Sequence, residues 1–149
     1  MFRFEIDMND KIKYIKQELT NSGFELIPKE NGREGVDFIV KTDNGNTHEL
    51  YLQALELDKQ REIKINKQQL GEPKDNLWIA LVLLMEGEDL GLFLIPSKTL
   101  LATDNYIFKD NPQSGMFAHL ANWEIKVFSR GGMDELNKYR LENQVKNII

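Results

Sequence analysis

The chain has no cysteine among its 149 residues, only two histidines and only four prolines. The absence of cysteine excludes disulfides, thiolate metal sites and thiol nucleophiles. A zinc site would need carboxylates for most of its ligands, and His48 and His119 do not have the spacing of metal ligands. The sequence therefore predicts two ordinary histidines and no zinc centre.

Phosphate-binding glycine loops and long apolar runs are also missing. Neither GxxxxGK[ST] nor GxGxxG occurs, and the nearest segment, 32–35, precedes a predicted strand instead of a helix. No serine lies in a nucleophile-elbow sequence. The longest apolar run, 77–85, is nine residues long, whereas a membrane helix needs about 20. Because the N-terminus does not resemble a signal peptide either, we expect a cytoplasmic protein without a membrane partner.

The composition, with 41% hydrophobic and 29% charged residues, is that of a globular protein. Its length predicts one α/β domain over residues 1–149. The net charge of −5 argues against general nucleic-acid binding, which depends on neutralising phosphates. A local basic segment is nevertheless a candidate nucleic-acid surface, with a solvated charged loop as the alternative. Its basic residues are Lys59, Arg61, Lys64, Lys67 and Lys74.

The first half of the chain predicts a helix followed by an antiparallel hairpin. Apolar residues at helical spacing predict a helix over 9–22, which Gly23 would end in a left-handed conformation. A short strand, 24–27, follows. Two longer strands, 36–42 and 47–57, flank the turn-forming sequence Asp-Asn-Gly-Asn and form the hairpin.

The strand from Glu49 to Leu57 is apolar on both faces. Leu50, Leu52 and Ala54 would lie on one face, and Tyr51, Leu55 and Leu57 on the other. A strand covered on both faces belongs to the centre of a layered sheet. The further elements are an extended piece at 61–65, a helical turn at 66–70, strands at 77–85, 90–95 and 123–128, a short helix from Ser97, an irregular stretch at 103–122 and a helix from Met133. Together they predict an α/β fold with a mixed sheet of five to six strands flanked by N- and C-terminal helices.

One polar constellation lies on this hairpin. Asp37 stands at the head of the first strand, and Gln53 stands on the apolar partner strand. In the order of its elements, this part of the chain resembles the PD-(D/E)xK, or restriction-endonuclease-like, superfamily. The order is a helix, a strand, a strand beginning Gly-x-Asp, a turn and an apolar strand carrying Gln-x. It is most similar to small bacterial members with a G-[IV]-D…[IL]-Q-x-K pattern. The resemblance covers residues 9–57 and, more loosely, the strand at 77–85.

The resemblance implies a restriction-endonuclease-like core in which Asp37 binds Mg²⁺ and Gln53 occupies the second metal position. The family's catalytic lysine would fall at position 55, where this chain has Leu55. A leucine neither orients an attacking water nor offsets charge on a phosphate. Lys64 or Arg61 would have to act as a displaced cation.

Two functions follow from these residues. The favoured one is a non-catalytic binding or interaction domain, a pseudoenzyme without a cofactor, with a protein or nucleic-acid partner and with homo-oligomerisation left open. In that case Asp37 bonds its own loop and Gln53 bonds within the sheet. The alternative is a Mg²⁺-dependent nuclease that acts on DNA or RNA through Asp37, with Gln53 and a displaced lysine or arginine, Lys64 or Arg61.

Overall fold

The computed structural model describes residues 8–33, 36–42, 44–56, 60–85, 88–101, 107–126 and 134–148. Its α-helices are α1 (Met8–Asn21), α2 (Lys67–Leu70) and α3 (Leu141–Ile148). Its strands are β1 (Glu25–Pro28), β2 (Asp37–Lys41), β3 (Thr47–Glu56), β4 (Glu62–Asn66), β5 (Leu77–Met85), β6 (Glu88–Pro96), β7 (Phe108–Asn111) and β8 (Asn122–Lys126). Three 3-10 helices span Ser97–Leu101, Gly115–Leu120 and Asn137–Tyr139.

A five-stranded mixed sheet has the order β1-β2-β3-β5-β6. All neighbouring strands are antiparallel except β3 and β5, which run parallel. Strand β3 lies in the middle, as predicted. Leu50 and Leu52 belong to one buried cluster and Tyr51 and Leu55 to another, so the sheet is covered on both faces. The predicted α/β fold with a mixed sheet is confirmed.

Strands β4, β8 and β7 form a second sheet with β8 in the middle. Ile63 and Ile65 of β4 and Ile125 of β8 turn inward and join the cluster that contains Tyr51 and Leu55. The two sheets therefore share one core. The prediction that 103–122 is irregular is wrong, since β7 and the 3-10 helix Gly115–Leu120 lie within it. Strand β7 has only four residues, which show no clear alternation of buried and exposed side chains. Its pairing with β8 is therefore what makes it a strand.

Helix α1 packs on the other face of the large sheet. Ile15 and Leu19 are buried in the cluster formed by Leu50 and Leu52. Gly23 has φ of 89°, and the amide of Phe24 donates to the carbonyl of Leu19 at 2.8 Å. This is the glycine-ended helix that the sequence predicts.

The C-terminal residues cover part of the exposed edge of β6. Immediately before α3, Arg140 forms an isolated antiparallel bridge with Phe93 of β6. Its guanidinium also lies 5.1 Å from the centre of the Phe93 ring. A paired or covered edge is less able to add a strand from another chain. In the described part of the chain, no helix has the length and apolarity needed to cross a membrane.

Candidate functional site

Asp37 begins β2 and lies opposite Tyr51 of β3. The loop that precedes it folds back closely on the strand: a Cβ built on Gly32 would lie 2.8 Å from the Cβ of Asp37. A larger residue at position 32 would displace this loop. Glycine therefore brings the backbone of Arg33 within reach of the Asp37 carboxylate.

Arg33 engages both carboxylate oxygens of Asp37. Oδ2 accepts hydrogen bonds from the Arg33 amide at 2.7 Å and from Nε at 3.0 Å, and Oδ1 accepts from Nη2 at 3.1 Å. Nη2 also donates to the carbonyl of Gln69 at 3.0 Å, and the guanidinium stacks 4.9 Å from the centre of the Tyr51 ring. Asp37 thus joins the loop, the hairpin and α2 through a single arginine.

The electrostatics of this pair favour both charged forms. Burial is the largest single influence on Asp37 and opposes its ionisation, but the hydrogen bonds and charge of Arg33 outweigh it and hold the pKa of Asp37 below its ordinary value. The hydrogen bond to Asp37 in turn raises the pKa of Arg33. A carboxylate already paired in this way gains little from a divalent cation, which would have to displace the guanidinium.

A second charged cluster lies beside the first. Glu49 of β3 accepts from Lys29 at 2.5 Å through Oε1 and from Lys74 through Oε2. These two hydrogen bonds lower the pKa of Glu49. Asp37, Glu49 and the two lysines line a pocket of about 240 Å³ between the hairpin and α2, together with Leu50, Tyr51, Gln69, Leu70, Gly71, Glu72 and Leu77. The pocket therefore contains paired charges of both signs, not an open group of acids.

Gln53 and Leu55 lie farther along β3, on the face that carries Tyr51. Gln53 is half-buried, while Leu55 is 0% exposed and belongs to the core cluster shared by the two sheets. Leu55 lies beside Leu83 of the parallel neighbour β5. Position 55 is surrounded by apolar side chains, and this explains why it holds leucine.

Lys64 is not brought to the hairpin pocket. Ile63 and Ile65 face the core, so alternation along β4 turns Lys64 to the opposite, exposed face, beside Glu124 of β8. Arg61 is exposed just before β4. Neither Lys64 nor Arg61 is among the residues that line the pocket beside Asp37.

The basic segment is divided among different surroundings. Lys59 lies outside the described residues. Lys67 is paired with Asp110 and lies 4.1 Å from the centre of the Trp123 ring, and Lys74 is paired with Glu49. Both lysines therefore already make an ion pair within the chain.

The histidines have structural surroundings. The indole nitrogen of Trp78 donates to Nδ1 of His48 at 3.0 Å, and the two rings meet edge to face. The backbone carbonyl of His119 accepts from the side chain of Asn66 at 2.7 Å. Within the described ranges, no group of three or more His, Asp or Glu side chains converges as a metal site would require.

Sequence reasoning missed the partners that surround Asp37 and Glu49. Arg33 is four residues before Asp37, and a basic residue at that distance across a glycine-containing loop was the available signal. Lys29 and Lys74 had no such signal, because they come from either side of β3 and meet only when the sheet forms. Comparisons of the chain with protein-family models, curated proteins and solved structures find no match.

Proposed function

We propose that this chain is a non-catalytic binding domain on a restriction-endonuclease-like scaffold. The observation that carries the proposal is the engagement of both Asp37 oxygens by Arg33. A metal-dependent nuclease needs acidic oxygens that are open to Mg²⁺, together with a cation that stabilises charge developing on the phosphate. In this chain Arg33 bonds both of the Asp37 oxygens that a metal would need, which supports the proposal.

Two further observations support the proposal. The order α1, β1, β2, a turn and β3 agrees with the order of elements on which the resemblance rests. Leu55, at the position that corresponds to the catalytic lysine, has an apolar role in the core. A scaffold can keep its architecture while losing its chemistry, since function depends on the site and not on the fold.

The pocket beside Asp37 is the proposed contact surface. Its volume of about 240 Å³ admits a side chain or a small polar group. Lys29 and Lys74 each use one bond on Glu49, and an ammonium group has three donors. The remaining donors, with the Glu72 carboxylate, can bind polar groups of a partner, which we propose to be a cytoplasmic protein or nucleic acid.

A metal-dependent melting experiment tests the loss of catalysis. The wild-type protein is heated with and without Mg²⁺ or Mn²⁺, beside an Asp37→Ala variant and an Asp75→Ala control, whose aspartate is 90% exposed. We expect no metal-dependent rise in melting temperature and no cleavage of plasmid or single-stranded DNA or RNA. Cleavage, or a stabilisation by metal that only Asp37→Ala abolishes, would overturn the proposal, because a ligand of the native state must raise stability.

Affinity capture tests the binding function. The protein is used as bait in lysate of the cells that express it, with Lys74→Glu as the pocket variant. Lys13→Glu, at an exposed position of helix α1, is the control of equal charge change. The proposal requires a partner that is retained by the control and lost by Lys74→Glu. Nuclease treatment of the captured material then separates a nucleic-acid partner from a protein. Capture that is insensitive to Lys74→Glu, or no concentration-dependent complex, contradicts the proposal.

A further inference from the structure

The pocket beside Asp37 presents two ammonium groups that are bound to a single carboxylate. Glu49 bonds Lys29 through Oε1 and Lys74 through Oε2, so both lysines meet on the same acid. An ammonium group has three donors, and the side chains of Lys29 and Lys74 remain 42% and 53% exposed. Each lysine can therefore donate to a further oxygen without leaving Glu49.

Backbone contacts hold both lysines in place. The Lys29 amide donates to the carbonyl of Asp37 at 3.1 Å. The Lys74 amide donates to Oγ of Ser97 at 3.0 Å, and that hydroxyl donates back to the carbonyl of Lys74 at 2.9 Å. Ser97 is fully buried. Because groups that are already in position lose less conformational entropy when a ligand binds, this pair of lysines is suited to receive an anion.

Glu72 supplies a negative charge in the same pocket. It lines the pocket together with Lys29 and Lys74, and it is exposed. Its carboxylate has no ion-pair partner among the described residues. An unpaired carboxylate attracts a cation. The pocket therefore offers one place for an anion and another for a cation.

The size of the pocket limits the ligand. Its volume is about 240 Å³, and a water molecule occupies about 30 Å³ in the liquid, so the space corresponds to roughly eight waters or to a molecule of about ten non-hydrogen atoms. A nucleotide is too large, whereas a free amino acid with a short side chain fits. Leu50, Leu70 and Leu77 form part of the wall, where the carbon atoms of such a ligand can pack.

We propose that this pocket binds a small zwitterion, namely a free α-amino acid. Lys29 and Lys74 donate to its carboxylate, and Glu72 accepts from its ammonium group. The inference rests on the proposed function, because it takes the pocket as a binding site without catalysis. A purely anionic ligand would be attracted by the lysines but repelled by Glu72 and by the net charge of −5. The amino acid uses the same lysine donors as the macromolecular partner, so it would regulate partner binding by competition.

Amide NMR of the isotope-labelled protein tests the site by titration. The probes are L-alanine, L-asparagine and L-glutamate, which share the zwitterionic group and differ in their side chains. At least one of them should give saturable shifts of the Gly71 and Lys74 amides. Acetate and methylammonium, which each carry a single charged group, should bind about tenfold more weakly or less, because each has lost one charge-assisted hydrogen-bonding group.

Three variants locate the ligand in the pocket. Lys74→Gln and Glu72→Gln should each weaken the amino acid by about tenfold. Lys98→Gln is the matched control and should leave the affinity unchanged, since Lys98 is 54% exposed and paired with Asp75 but lies outside the pocket. Glu72→Gln separates the two kinds of ligand, because a purely anionic probe, inorganic phosphate, would bind this variant more tightly than the wild type.

Several results would overturn the inference. They are an absence of saturable shifts with all three amino acids, binding of acetate or phosphate as tight as theirs, and stronger amino-acid binding by Glu72→Gln. Undiminished binding by Lys74→Gln would place the ligand elsewhere and overturn it as well. If the amino acids fail to bind while a captured partner still depends on Lys74, the proposed function stands without this inference. Nucleic-acid cleavage that depends on Asp37 would overturn both.

Discussion

Replacing Leu55 by lysine tests whether position 55 belongs to the core or to a damaged catalytic site. Leu55 is fully buried in a cluster with Ile63, Ile65 and Leu83. A lysine there would place an ammonium group among apolar side chains, or would have to lose its proton with a strongly lowered pKa. Either outcome costs folding free energy, and neither supplies a cation to a phosphate.

The magnitude follows from what Leu55 buries. Leu55→Ala removes three buried carbons, worth about 2.4 kcal/mol at roughly 0.8 kcal/mol each. The cavity left behind increases the loss to about 3 kcal/mol, which lowers the melting temperature by about 6–12 °C for a chain of this size. For Leu55→Lys we expect a loss of roughly 4 kcal/mol, because desolvating an unpaired charge costs several kcal/mol. That is a large share of the about 5–15 kcal/mol by which domains are stable.

Urea unfolding followed by tryptophan fluorescence measures this loss. The control is Gln53→Lys, two residues away on the same face of β3 but half-buried. We expect it to change the unfolding free energy by about 1 kcal/mol or less, since the long side chain can extend toward solvent. A Leu55→Lys protein as stable as Gln53→Lys would refute the assignment of position 55 to the core. Mg²⁺-dependent DNA cleavage by that variant would further show that only the lysine was missing.

Two further predictions concern the charged pairs. A double-mutant cycle of Arg33→Ala and Asp37→Ala should give a coupling free energy of about 1 kcal/mol, because the pair is partly buried and held by several hydrogen bonds. The exposed pair of Lys98 and Asp75 is the control and should give a coupling of less than about 0.5 kcal/mol. Equal couplings would contradict the special role of Arg33. Asp37 and Glu49 both have a pKa below the ordinary value, so the unfolded chain binds more protons and stability rises with pH across that range. The free energy of unfolding should be level above about pH 5 and fall as pH drops through about 4. In Glu49→Gln this fall should be shallower. An unchanged slope in that variant would contradict the contribution assigned to Glu49.

Local patterns were sufficient to predict most of the elements. The two-sided apolar pattern of Leu50, Tyr51, Leu52 and Leu55 identified the central strand, because only a strand covered by two layers can bury both faces. Gly23 marked the end of α1 for a backbone reason that acts within a few residues. The helical turn after Asn66 was likewise local, since its side chain accepts from the amides of Gln68 and Gln69.

The second sheet could not be predicted in the same way. Strand β4 was expected only as an extended piece, and β7 was expected as irregular chain. Each of them has five residues or fewer, and both are stabilised by pairing with β8, which is far from β4 in sequence and is separated from β7 by the 3-10 helix Gly115–Leu120. Short strands carry little periodicity of their own, so the partner strand determines whether they form.

The candidate site shows the same division. The sequence by itself determined that Asp37 stands at the head of a hairpin strand and that position 55 lacks a lysine. Only the tertiary structure decided that Arg33 pairs with Asp37, that Lys29 and Lys74 meet on Glu49, and that Lys64 faces away. Backbone preferences and apolar periodicity act over a few residues, whereas the pairing of charges depends on which surfaces the folded sheets bring together.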